Sequence, residues 1–247
     1  MPTTDNPSLQ ANKAWPITAK SIAAREILGF SALVVLSKFA LDPVTWRFSA
    51  PITLLLSLVI LTFYLHRRGE SWVALGLRFP DGFKARFMLL PKGLLTTVAI
   101  ILTGVLVAKT GAWLGFDFMA NENQGIVKRL EDVPGNLPMY LLWLGISWLS
   151  AGLGEELFFR AFLISRFNRL FEGFRFQRLL SILFPALAFG LVHFYYQGLQ
   201  GLIIASCIGF TLGALYLKFG RNLLPLIIGH GLMDSLSLTV FYLQLDV

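Results

Sequence analysis

Long apolar runs broken by short charged connections dominate this chain, and their length rather than any alternation decides what they are. A mixed stretch from Ile17 leads into an apolar run that ends near Leu41 and is interrupted by Lys38. Further runs cover Ala50–Leu65, Lys92–Phe116 and Pro138–Leu170, the last apolar first and then charged, as in one long helix. Leu179–Tyr196, Gly201–Leu217 and Leu223–Leu243 follow, joined by tight links at Tyr195–Gln200 and Lys218–Asn222. A membrane-spanning helix needs about 20 apolar residues, whereas strands of a membrane barrel alternate over about ten. The pattern predicts an all-α, polytopic transmembrane helical bundle of about seven spans.

Composition agrees. Of 247 residues 55% are hydrophobic and 14% charged, against about a quarter charged in a soluble domain. That leaves too little polar surface for a water-soluble globule and too much apolar side chain for a disordered one. The single cysteine, Cys207, rules out an intrachain disulfide and a multi-cysteine metal site. The first 25 residues hold no continuous apolar core and no small-residue cleavage site, so no cleavable signal peptide is expected. The net charge of +7 is a property of loops and does not call for nucleic acid. Seven spans put Lys13, Lys20 and Arg25, the loop 66–86, the connection 166–178, and Lys218 with Arg221 on one side. The acidic loop 117–137 and Asp246 fall on the other. By the positive-inside rule the N-terminus is cytoplasmic and the C-terminus outside, as in a multi-pass protein of a bacterial inner membrane.

Ionisable groups inside a bilayer cost at least about 2.5 kcal/mol each, and several lie within these runs. The segment 151–160 (AGLGEELFFR) sets Glu155, Glu156 and Arg160 on one helix. His193 lies in the fifth span, and His230 and Asp234 in the seventh. Glu156 and Arg160 are four residues apart, acid before base, and can neutralise each other. Glu155 points about 100° away and is left for other work. Asp234, one turn beyond His230, either holds the imidazole in one tautomer or reaches a ligand. Phe189 shares a face with His193 and walls its side of a cavity. At 1.5 Å per residue from the nearest basic loop, Glu155, His193 and His230 lie roughly 21, 22 and 14 Å deep, one layer once helix tilt is allowed for.

Glu155-Glu156-x-x-x-Arg160, Phe189-x-x-x-His193 and His230-x-x-x-Asp234 together resemble the three motifs of the CPBP family. That family comprises the Rce1-type CAAX prenyl endopeptidases and bacterial relatives that include bacteriocin-immunity (Abi) proteins. The stretch 212–225 (LGALYLKFGRNLLP) resembles the family's approach to its last motif, and the resemblance covers residues 138–240. It implies an intramembrane endopeptidase in which Glu155 activates water and His193 assists that water or the leaving group. His230 and the residue at 234 stabilise the oxyanion, with Glu156, Arg160 and Phe189 in support. Two departures stand out: Ala161 where the family usually has Gly, and Asp234 where many members have Asn. An ionised Asp cannot donate to an oxyanion; it is protonated, or it orients His230, or activity is altered.

The chain then divides into a mobile polar tail (1–16, with Pro2, Pro7 and Pro16), N-terminal spans and loops (17–137) and a catalytic core (138–247) within one membrane domain. Its partners are membrane lipid and a peptide or protein substrate, prenylated or C-terminal, and no nucleic acid. No cofactor is favoured. The mechanistic rival is zinc held by Glu155, His193 and His230, an acceptable ligand set although no HExxH is present. The non-enzymatic alternatives are a membrane scaffold or immunity protein, which has no need of Glu155, and a proton-coupled transporter, against which the lack of internal repeats argues.

Overall fold

The computed structural model describes residues 17–245, all helices and connections; the tail 1–16 and Asp246 lie outside the described residues. In order these are α1 (Ile17–Arg67), α2 (Phe83–Phe87), α3 (Leu89–Trp113), α4 (Asp117–Ala120) and α5 (Gln124–Arg129). A continuous rod, Leu137–Leu170, follows. It consists of α6 (Leu137–Ile146), a π-helical stretch (Ser147–Leu163) and α7 (Ile164–Leu170). Then come α8 (Gln177–Lys218) and α9 (Leu224–Leu243). The acidic loop 117–137 thus holds two short helices, α5 being capped by the Asn123 side chain, which accepts from the Ile126 amide.

Among the described residues five helices are long and apolar enough to cross a membrane, and two of them fold back on themselves. In α1 the break is at Thr45 (φ −156°, ψ 78°), two residues after Pro43, whose ring removes a helix hydrogen bond. The Tyr64 hydroxyl donates to the Glu26 carboxylate at 2.7 Å, although a straight helix would hold these residues about 57 Å apart. In α8 the break is at Gly198 (φ 61°, ψ −153°), a conformation open to glycine and little else. It falls inside the link Tyr195–Gln200 read from the sequence. The α8 arms then pack antiparallel, Gly190 against Ser206 with no room for a Cβ, and Gly213 against Ile182. Seven helical arms result.

The rod departs from the ordinary helix expected of it. Residues Ser147–Leu163 run with i→i+5 turns, and Gly154 lies so close to the Leu149 carbonyl five residues back that a Cβ would sit 3.2 Å from it. Such wide turns are rare and usually brief; here they carry the whole Glu-Glu-x-x-x-Arg motif. Every residue from Glu156 to Ile164 is buried, so the rod is the bundle's axis. Lipid-facing arms look different: α3 leaves Leu95, Val98, Leu102 and Leu106 about half exposed, an apolar surface suited to hydrocarbon.

The two ends of the bundle differ in charge as the sequence pattern requires. At one end Lys20 reaches the Glu172 carbonyl, Arg166 and Arg169 hold Glu70, and Arg78 bonds the Gly220 carbonyl. At the other, Arg47 holds Glu131 and Asp132, and Asn123 bonds the α8 break at the Gln197 carbonyl.

Candidate active site

Three elements deliver the polar side chains. The π-helical stretch carries Glu155, Glu156 and Arg160; the first arm of α8 carries Phe189 and His193; α9 carries His230 and Asp234. Glycine lets them approach. A Cβ on Gly152 would meet the Ile227 carbonyl at 3.3 Å, and Gly231 packs flat on the Trp148 ring.

Glu156, wholly buried, is the hub. Its Oε1 accepts from Arg160 Nη1 at 3.0 Å and lies 2.8 Å from His230 Nδ1. A carboxylate accepts, so Nδ1 donates and Nε2 faces outward. This revises one option open in the sequence. Asp234 does not set the tautomer of His230: its Oδ1 is 4.0 Å from Nε2, beyond hydrogen-bond reach. The reason is geometric. From one turn along the same helix Asp234 meets only the outer nitrogen, while Glu156 approaches the inner one from a neighbouring helix. On the outer side Glu155 Oε2 stands 3.9 Å from the same Nε2, so two carboxylates flank one nitrogen.

His193 is fixed by its own helix, Nδ1 donating to the Phe189 carbonyl at 2.8 Å. In the neutral ring Nε2 then carries the lone pair. Phe189 does what its spacing predicted, its ring lying 4.5 Å from that of His193 and 6.4 Å from that of His230. Its face also takes the Arg160 guanidinium at 4.4 Å.

Glu155, His193, His230 and Asp234 line one cavity of about 670 Å³, together with Phe159 and Tyr196. Glu156 and Arg160 stand behind that wall. Lys38, Arg129, Trp143 and Phe241 line it as well, so the cavity reaches the end of the bundle that carries α5. All seven residues singled out in the sequence therefore meet. Among the described residues no three His, Cys, Asp or Glu side chains stand at metal-ligand spacing. Four further lining residues bear on the chemistry and had been given no role in the site: Tyr196, Lys38, Phe159 and Arg129. Tyr196 had a signal, being three positions beyond His193 on one helical face. Lys38, which interrupts the first apolar run, pairs with Asp42 at 2.9 Å. Phe159 had a signal too, one turn beyond Glu155 on the same rod; Arg129 carried none, since only the packing of separate elements brings it to the cavity.

Comparison with known proteins gives this cluster a context. Residues 137–236 match the family model described as type II CAAX prenyl endopeptidase Rce1-like. No curated protein and no solved structure matches the chain. All seven residues fall inside the Rce1-like segment. Outside it, α1 and α5 complete the cavity with Val34, Lys38, Leu54 and Arg129.

Proposed function

We propose that this protein is an intramembrane endopeptidase of the glutamic type, cutting a peptide bond in a membrane-associated substrate. The observation that carries the reading is Glu155: a carboxylate facing a cavity among spanning helices, 3.9 Å from His230 Nε2. That spacing suits groups bridged by a water or a substrate atom. Glu155 takes a proton from water as its oxygen attacks the peptide carbonyl. His230, with Nδ1 committed to Glu156, donates to the developing oxyanion from Nε2 as an imidazolium, for which the Glu156 and Asp234 carboxylates supply countercharge. His193 offers the Nε2 lone pair, accepts the proton that Glu155 took from water and passes it to the leaving nitrogen, which restores the Glu155 carboxylate. Asp234 holds the outer side of His230. The similarity of residues 137–236 to CAAX-type proteases supports the same chemistry. With the basic loops on the cytoplasmic side, the cavity runs toward the opposite face.

The test is cleavage of quenched-fluorescence membrane peptides by purified protein in lipid nanodiscs. Glu155→Gln and His193→Ala abolish cleavage while the protein stays monodisperse; full activity in Glu155→Gln sinks the reading. Dialysis against a chelator in the same assay separates this route from zinc chemistry through Glu155, His193 and His230: activity retained favours the former, activity lost and restored by zinc the latter.

A further inference from the structure

The cavity lining carries groups of opposite charge: Glu155 and Asp234 beside the two histidines, and two cations, Lys38 and Arg129. Lys38 is neutralised, its ammonium 2.9 Å from Asp42 and 3.1 Å above the Tyr195 ring. Arg129 is not. Half-buried at the last residue of α5, it has no carboxylate within ion-pair distance among the described residues. The acids next to it in sequence are already taken, Glu131 and Asp132 by Arg47 at 3.3 and 2.7 Å. What holds Arg129 is aromatic: its guanidinium lies 5.4 Å from the Trp143 ring and 4.8 Å from the Tyr196 ring. Stacking of this kind fixes the plane of the fork and leaves its N–H donors for a planar anion.

We propose that Arg129 is an anion-reading subsite of this cavity, taking a carboxylate borne by an otherwise apolar peptide. The proposal rests on the peptide-hydrolase reading above and adds to it the chemistry of the substrate. The rest of the lining is mostly apolar, with Leu54, Ile146, Leu191, Ile204 and Leu238 among its residues. A ligand that fills the space and meets Arg129 is therefore apolar and acidic at one point, because a carboxylate supplies the charged acceptor that the aromatic walls lack. The subsite adjoins the reacting groups: the Tyr196 ring that carries Arg129 is 6.0 Å from the His193 ring. Arg129 lies outside the Rce1-like segment, so this selectivity belongs to the N-terminal part of the chain.

The experiment is equilibrium binding, read by fluorescence anisotropy, of a dansylated apolar hexapeptide to the protein in nanodiscs of neutral lipid. Three probes are compared: the free C-terminal acid, the C-terminal amide, and the amide with an aspartate at the last position. Wild type binds the free acid about tenfold more tightly than the amide, a charge-assisted hydrogen bond's worth. Arg129→Gln erases the difference without weakening the amide, and Arg129→Lys keeps part of it. The aspartate peptide tells whether a terminal or a side-chain carboxylate is read. Equal binding of acid and amide by wild type, or a preference that survives Arg129→Gln, overturns the proposal. Glu155→Gln keeps the preference. Cleavage without an acid preference leaves the hydrolase standing and removes the subsite; an acid preference without cleavage does the reverse.

Discussion

Two buried arginines on one rod, six residues apart, have opposite surroundings. Among the described residues Arg160 has a single ion-pair partner, Glu156 on its own helix at 3.0 Å, and shares that carboxylate with His230. Arg166 has two partners, Glu26 at 2.7 Å and Glu70 at 2.8 Å, from α1 and from the loop after it. Arg160 backs a cavity; Arg166 is sealed at the basic end and ties the rod to the α1 hairpin. Both charges cost desolvation, but the site shares one carboxylate between two donors, whereas the brace gives one guanidinium two carboxylates. A shared partner leaves groups poised around a cavity, and a doubled one ties two further segments to the rod. Changes at the site should therefore alter rate, and changes at the brace should alter stability.

The largest expected effect is at the cavity wall. Glu155→Gln removes the proposed base and lowers cleavage by about a hundredfold to ten-thousandfold, with little change in the thermal midpoint in detergent. A variant that unfolds instead would put Glu155 with the brace. Next is Arg166→Ala, which strands two carboxylates around a vacated guanidinium. Breaking a buried pair costs about 3–5 kcal/mol, so the midpoint falls by many degrees, while kcat per folded molecule in nanodiscs stays near wild type. A midpoint within a degree of wild type contradicts the bracing role.

Glu156 sits between these extremes. Glu156→Gln keeps an acceptor for His230 Nδ1 and loses the charge shared with Arg160. Loss of a hydrogen bond to a charged group is about 1.5–3 kcal/mol, so cleavage drops about tenfold to a hundredfold and stability changes too. If kcat is untouched while KM rises, Glu156 does not act through His230.

The contrast also marks how far the sequence could be read. Apolar run length was enough for seven arms, and Gly198 lies within the link expected of it, because spanning segments and glycine breaks are local properties. Glu155, His193 and His230 were legible because ionisable groups stand out in apolar runs. Arg166 was assigned only to a basic connection, since Glu26 and Glu70 lie far off in the chain and nothing in residue spacing encodes that meeting. The same holds for Glu156 replacing Asp234 as partner of His230 Nδ1: an i,i+4 pair is visible in a sequence, and an interhelical approach is not. The wide turns of Ser147–Leu163 also left no mark in the hydrophobic pattern.

The smallest effect tests the brace through pH. Glu70 lies beyond the end of α1 and is partly exposed; burial alone would raise its pKa, but the Arg166 and Arg169 guanidiniums hold it below the ordinary carboxylate value. A depressed carboxyl pKa contributes stability that is complete above the unfolded-state value of about 4.3 and disappears as pH falls through the lower folded-state value. The wild-type midpoint in detergent should accordingly drop more steeply than that of Glu70→Gln as pH falls below about 4.3, the two curves running parallel near neutrality with the variant lower throughout. Because Glu70 is near water, screening keeps the difference modest, and added salt should shrink it further. Identical slopes for the two proteins in acid would mean that Arg166 is held by Glu26 alone, and the doubled partnership that separates brace from site would reduce to a single pair.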